Sequence, residues 1–299
     1  MPEHEQSSLG TVGRLSGGEI LSRESARAPE SGPARWPGRG VPEQLSLGAV
    51  QERGPTPHAT DLKGAQCQLS VVIPTRNERD NVAPLLERLH GALAGNPVEV
   101  IFVDDSSDDT PQVVERLSSD YASSSTLVRL IHRRREDRGD GLAGAVVSGF
   151  RRASSEYVAV MDSDLQHPPE VLNDLLSAAC ASDAELVVGS RYIGDGDADG
   201  LSSSLRRFTS LGTGSVAHAL FPRRLKSISD PMSGLFLVRR DVLNPDSFHP
   251  IGFKILLEIA VRRGPLKVAE VPYVFAARHA GESKAGLAEG LRFLSLIHI

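Results

Sequence analysis

From residue 69 onward, short apolar runs alternate with stretches of helical spacing, a pattern that leaves few folds open. Leu69-Ser70-Val71-Val72-Ile73 reads as a buried strand ended by Pro74. Val98–Val103, Leu127–Ile131, Tyr157–Met161 and Glu185–Val188 read as further strands. Between them, Asn81–Leu93 sets Val82, Leu85, Leu86, Leu89 and Leu93 at helical spacing. Thr110 opens a second helix with Pro111 at its first position, and Ala143–Ala153 and Pro168–Ala181 are helical. Strands alternating with helices over short connections predict a parallel α/β sheet. The second half is less regular. Leu235–Val238 and Lys267–Val271 read as strands there, and Leu256–Arg263 as a helix.

Residues 1–66 follow no such pattern. They are rich in Gly, Pro, Ser, Arg and Glu, carry eight acids against seven bases, and hold no helix or strand period. Such a segment cannot bury enough apolar surface to offset its ordering entropy, so it is expected to be a disordered tail with Trp36 solvated. One domain is expected over 67–293 of the 299 residues. A net charge of −5 argues against nucleic acid as a partner, because a phosphate backbone needs a basic footprint. The two cysteines, Cys67 and Cys180, exclude a disulfide framework and a cysteine-rich zinc site.

Open α/β sheets hold ligands at the carboxyl ends of their strands, and three polar clusters fall there. They are Pro74-Thr75-Arg76-Asn77-Glu78, Asp104-Asp105-Ser106-Ser107-Asp108 and Asp162-Ser163-Asp164-Leu165-Gln166-His167-Pro168-Pro169-Glu170. Asp162 and Asp164 stand two apart in an extended segment, so their side chains leave on the same side. With the Gln166 amide they form an oxygen-rich site for Mg2+ or Mn2+, ions held by one or two carboxylates plus substrate phosphates. An isolated Asp-x-Asp is more often a loop or capping pair, but its place after an apolar strand reverses that reading. Asp104 could accept hydrogen bonds from a base or ribose, with Glu78 and Pro74 lining the other wall of a nucleotide pocket; turn chemistry is the alternative. Asp140-Gly141-Leu142-Ala143-Gly144 opens a helix without a P-loop lysine or a full dinucleotide glycine pattern.

Among the cations, His132-Arg133-Arg134-Arg135 reads as a solvated face. Arg191, just after the fifth strand, is better placed for a ligand. Arg206 and Arg207, with Ser210 one helical turn beyond Arg206, could hold a phosphate bidentately, and Arg278 and Lys284 form a second basic loop. Beside a metal site these cations point to two phosphorylated ligands, a diphosphate on the metal and a second phosphate on arginine.

Four spaced motifs carry a resemblance over roughly Leu69 to Phe293: Pro74-Thr75-x-Asn77-Glu78, Val103-Asp104-Asp105-x-Ser107, Asp162-x-Asp164-x-Gln166-His167-Pro168-Pro169-Glu170, and Gly281-Glu282-Ser283-Lys284. The chain resembles the family 2 glycosyltransferases, most closely the dolichol- or polyprenol-phosphate mannosyltransferases. The resemblance implies the A-type glycosyltransferase fold, a Rossmann-like, mostly parallel α/β sheet flanked by helices. It implies metal-dependent, inverting transfer of a sugar, mannose foremost, from GDP-mannose to a polyprenyl or dolichyl monophosphate. By position, Pro74, Arg76, Glu78, Phe102 and Asp104 match nucleotide contacts, and Ser163 falls at a donor contact. Asp162, Asp164 and Gln166 match metal ligands, Arg278 and Lys284 donor-side cations, and Arg191, Arg206 and Ser210 the acceptor-phosphate site. Asp164 and Arg191 are the residues expected to carry the transfer. Arg76 departs from the pattern, since the family usually places an aromatic there.

A lipid phosphate is already anionic near neutral pH, so its attack needs no general base. Transfer from UDP-glucose or another UDP-sugar to the same lipid, and nucleotidyl transfer, stay open as alternatives. A processive synthase would need Gln-x-x-Arg-Trp, and the only tryptophan is Trp36. Residues 294–299 resemble the translation of a sequencing adapter and are expected to be a truncation scar. Membrane helices are expected beyond Phe293, which would set the protein at the cytoplasmic face of the membrane, peripheral as given and integral in native form.

Overall fold

A computed structural model describes residues 69–122, 125–197, 212, 214–248 and 254–280. The expected tail over 1–66, the segment 294–299, and the expected site residues Arg206, Ser210 and Lys284 lie outside the described residues. Strands β1 (Leu69–Thr75), β2 (Val98–Asp104), β3 (Thr126–His132), β4 (Tyr157–Val160), β5 (Leu186–Ser190), β6 (Phe236–Arg239) and β7 (Val268–Pro272) form one sheet. Their order is β3-β2-β1-β4-β6-β5-β7. Neighbours are parallel except around β6, which runs against both β4 and β5. Helices α1 (Arg79–Ala92), α2 (Thr110–Tyr121) and α4 (Val171–Ser182) bury their apolar sides in one core; α3 (Gly141–Arg152) and α5 (Ile255–Arg262) bury theirs in a second.

β1 shows why its run is apolar on both sides. Leu69, Val71 and Ile73 pack into the core of α1, α2 and α4, whereas Val72 packs with Val146 and Phe150 of α3. Successive strand side chains leave on opposite faces, and a central strand is covered on both. The strand also continues one residue past Pro74, the point at which the sequence suggests it stops. Thr75 O accepts from Asp105 N on the β2 side, and Val72 O accepts from Met161 N on the β4 side. Pro74 therefore faces the β4 side, where pairing ends at Val72–Val160, and its missing N–H breaks no ladder bond. α4 begins at Val171 rather than Pro168, because the residue before a proline is driven out of the helical region. Pro168 O, Pro169 O and Glu170 O accept the first N–H groups of the helix instead. Among the described residues, no helix is long and apolar enough to cross a membrane.

Helix α3 lies so close to β1 that a Cβ at Gly149 would stand 2.3 Å from a Val72 methyl. Gly91, in α1, has nothing within 4 Å of the same position. Gly91→Ala should gain up to about 1 kcal/mol from helix propensity. Gly149→Ala should lose about 1–3 kcal/mol through overpacking. Urea midpoints of the two variants check this, and equal shifts would show that α3 can move away from the sheet.

Candidate active site

The carboxyl ends of β1, β2, β4 and β5 bring Thr75, Asp104, Asp162 and Arg191 to one edge of the sheet. At the β1–β2 corner Asp104 is fully buried. Its carboxylate accepts from the Thr75 hydroxyl at 3.0 Å, from Ser106 N at 3.2 Å and from the Ser106 hydroxyl. His132 Nδ1 donates to it at 2.6 Å, because the other ring nitrogen accepts from Arg138, which can only donate. Asp104 thus ties three strand ends together, with its side chain fully buried. Phe102, another expected nucleotide contact, is likewise fully buried, its ring in the core beneath α1. Pro74 is buried in β1, whereas Arg76 is exposed. Glu78 is buried and accepts from Asn81 Nδ2 at 2.6 Å.

The basic run after β3 is not a uniform solvated face. Arg134 and Arg135 are exposed, but Arg133 is buried, forked onto Asp105 and bonded to Asp140 at 2.8 Å and to Gly141 O at 2.9 Å. Arg138 donates to the carbonyls of Asp105, Ser106 and Arg133. These charge-assisted bonds stiffen the loops around the β2 end.

The acidic loop after β4 is bent at Leu165, whose φ of 63° is left-handed although its side chain is buried. A bulky residue is held there only when packing over-determines it. The segment 276–279 runs alongside the loop. Ala276 N donates to Gln166 O and His279 N to Asp164 O, while the Gln166 amide nitrogen donates to Ala276 O at 3.1 Å. Arg278 from this segment meets Asp164 Oδ2 at 2.6 Å and Gln166 Oε1 at 3.2 Å. Gln166 therefore turns its amide toward this strap and Arg278. Ser163 is buried within the loop.

Asp162 keeps 39% of its side-chain surface exposed. Its Oδ2 stands 3.8 Å from His167 Nδ1, and Lys254, Arg278 and Arg191 lend their positive charge to it. The His167 ring is nearly fully buried, and its Nδ1 accepts from Asp162 N at 3.0 Å. Burial lowers the His167 pKa to about 4, so the ring is a neutral spacer and not a counter-cation. Burial also raises both aspartates above the usual carboxylate range, and the Asp162 charge raises Asp164 further. Two carboxylates in that state suit a hard divalent cation, which would restore the charged forms. No three His, Cys, Asp or Glu side chains form a ready-made cage among the described residues. The donor set still fits Mg2+ or Mn2+, since these ions take one or two carboxylates and complete their shell with water and phosphate.

Across the edge, Arg191 is buried and doubly bonded to Asp230, Nε to Oδ2 at 2.7 Å and Nη2 to Oδ1 at 2.9 Å. Its guanidinium also stacks 5.6 Å from the Phe275 ring and 5.4 Å from Tyr192. Burial opposes its charge, but the Asp230 bonds outweigh that and raise its pKa. Half-buried Lys254 stands in the same corner. Burial first, then the Arg191 charge, lowers its ammonium to about 8, against the pull of Asp162 and Asp230. Asp230 and Lys254 are absent from the sequence reading. The available signal was Asp230-Pro231-Met232-Ser233-Gly234, an acidic turn opening directly onto an apolar strand.

The profile of Glycosyl transferase family 2 matches residues 70–245. The chain is 40% identical over 218 residues to a protein of Pyrococcus furiosus named Dolichol-phosphate mannosyltransferase, covering 73% of this chain and 59% of that protein. It thus spans less than two thirds of that relative's length. A Mycosarcoma maydis protein of the same name is 37% identical over 226 residues, 72% of each chain. Among solved structures, glucosyl-3-phosphoglycerate synthase from Mycobacterium tuberculosis, crystallised with Mn2+, UDP and glucosyl-3-phosphoglycerate, superposes with a TM-score of 0.54 at 22% identity over 79% of both chains. The sheet and its neighbours show the A-type glycosyltransferase fold that the motifs imply.

Two outcomes follow from the site's internal bonding. Asp230→Ala leaves the Arg191 charge buried without its partner and should cost about 3–5 kcal/mol of stability, read as a loss in urea midpoint. His167 stays neutral to about pH 4 in the fold but takes a proton near 6.5 when unfolded. The unfolded chain binds more protons within that window, so stability falls as the pH falls through it, by up to about 1.4 kcal/mol per pH unit. In EDTA, His167→Gln should lose less stability than the wild type between pH 6.5 and 4, and parallel acid curves would contradict the assignment.

Proposed function

Because the chain belongs to glycosyl transferase family 2, we propose that it transfers mannose from GDP-mannose to a polyprenyl or dolichyl monophosphate with inversion, as a metal-dependent hexosyltransferase. The observation that carries this reading is the placement of Asp162 and Asp164 at the end of β4, between Arg278 on one side and the Arg191–Asp230 pair on the other. The names of the 40% and 37% identical relatives support the lipid-phosphate acceptor and the mannosyl donor.

Asp162 and Asp164 would hold Mg2+ or Mn2+, which as a Lewis acid neutralises charge developing on the departing diphosphate. Arg278, already within bonding distance of Asp164, orients the diphosphate from the strap. Arg191 orients the acceptor phosphate. Its paired edge on Asp230 fixes the aim of the guanidinium, so little ordering entropy remains to be lost when the acceptor binds. A phosphate oxygen forms the new bond to the anomeric carbon, the bond to the diphosphate oxygen breaks, and the nucleoside diphosphate leaves with that electron pair. The displacement is single, so configuration inverts. The acceptor lies in a bilayer, so the proposal includes action at a membrane surface, the cytoplasmic face being the one we propose.

Incubation with Mn2+, a polyprenyl phosphate and either GDP-mannose or UDP-glucose, followed by identification of the lipid product, tests the reading. A mannosyl phospholipid from GDP-mannose is expected, and a product from UDP-glucose alone would overturn the donor assignment. Asp164→Asn should lower turnover on the order of 10²-fold with an unchanged melting temperature. Wild-type turnover in that variant would remove the metal role from Asp164.

A further inference from the structure

Strand β7 closes one edge of the sheet, and its apolar pattern is broken at one position. Ala269 and Val271 pack against the core of α1, α2 and α4, and Val268 against that of α3 and α5. Successive strand side chains alternate, so Glu270 shares the Val268 face. It pairs in register with Val188, itself part of the α3–α5 core. A carboxylate thus stands where the pattern calls for an apolar side chain, and a residue that breaks its local rule marks a functional position.

Glu270 Oε1 accepts from Ser229 N at 2.7 Å and from the Ser229 hydroxyl at 2.9 Å. Ser229 Oγ also lies 2.6 Å from Ser190 Oγ, at the end of β5. An ionised carboxylate only accepts and a hydroxyl has one proton, so Ser229 donates to Glu270 and accepts from Ser190. Ser190 Oγ accepts in turn from Tyr192 N at 3.2 Å. The bonds therefore run one way, from Tyr192 through Ser190 and Ser229 to Glu270. These residues flank a second pair: Ser229 precedes Asp230, and Ser190 and Tyr192 enclose Arg191. Asp230 holds Arg191 Nε at 2.7 Å and Nη2 at 2.9 Å, and its Oδ2 lies 3.4 Å from Arg191 N. Two neighbouring residues of one segment thus grip two of the other, and Glu270 is the terminal acceptor that fixes how the segments meet.

We propose that Glu270 is a positioning residue for the acceptor-phosphate site: through Ser229 and Ser190 it holds the Arg191–Asp230 pair in the orientation that meets the phosphate. It acts through the pair and not on the phosphate itself. A guanidinium held in advance loses little freedom when its ligand arrives. This inference deepens the transferase reading and rests on it for the role of Arg191.

Binding of a short-chain prenyl monophosphate, and separately of GDP with Mn2+, is measured by calorimetry on the full chain. Glu270→Ala should weaken the monophosphate about tenfold, the scale of coupling within one hydrogen-bonded network, and leave GDP unchanged. Glu270→Gln keeps an oxygen at the end of the chain of bonds and should bind close to the wild type. In an Arg191→Lys background, which cannot form the forked pair, Glu270→Ala should add little further loss. Ser229→Ala removes only the hydroxyl link and should show a smaller loss with the same dependence on Arg191, which decides the matter if the Glu270→Ala chain does not fold. Equal losses in the two backgrounds would make Glu270 a general stabiliser and overturn the proposal. So would equal weakening of both ligands, unchanged monophosphate binding or failure of glutamine to rescue. No monophosphate binding by the wild type, or none lost in Arg191→Lys, would overturn the acceptor role of Arg191 and this inference with it. Coupled losses without any sugar transfer would leave the inference standing and overturn the transferase reading instead.

Discussion

Carboxylates gathered at one sheet edge repel one another, and the loops of this protein hold their shape because hydrogen-bond donors are brought to each. Arg133 and Arg138 brace Asp105, His132 meets Asp104, Arg278 meets Asp164, and Arg191 meets Asp230. Burial makes these pairings obligatory. A charge withdrawn from water without a partner costs several kcal/mol, whereas the same charge in a forked hydrogen-bonded pair is held in place. Asp162 is the exception. It is partly exposed, its nearest ring is kept neutral, and its carboxyl is raised by burial. At the carboxylate proposed for the metal, Lys254, Arg278 and Arg191 favour the charged form, but burial outweighs them.

The same contrast explains what could be read from the residues in order. β1, β2, β4 and β5 are short apolar runs covered on both faces, so period and turn residues located them. The acidic loop after β4 was legible because the Asp-x-Asp spacing is local and the strand before it is unmistakable. Direction and partnership were not legible. Phe102 and Asp104 end an apolar strand, and nothing in their neighbours tells that one turns into the core and the other into a knot of Thr75, Ser106 and His132. Arg133 belongs to a run that looks solvated, yet Asp105 and Asp140 draw it inside. The Arg191–Asp230 pair spans 39 positions and joins two strand ends separated by a less regular stretch, so no local spacing announces it. Lys254 was hidden for the same reason, its place being set by a turn 22 positions away.

The reversed strand has a consequence for how such a chain assembles. β1 to β4 follow one another through single helices, and three of the pairings, β1 with β2, β2 with β3 and β1 with β4, close within this first half. β5 has no direct pairing to β4; it joins the sheet through β6, which must travel back to insert between them, and through β7. Long-range closures bear more chain entropy than local ones and are made later. The acidic half of the site is therefore expected to form on an early, self-contained unit. The basic corner of Arg191, Asp230 and Lys254 exists only after β6 has docked. The basic corner would then appear in the last folding step, and a kinetic trap that strands β6 outside the sheet would produce a protein with an intact acidic edge and no cationic corner beside it.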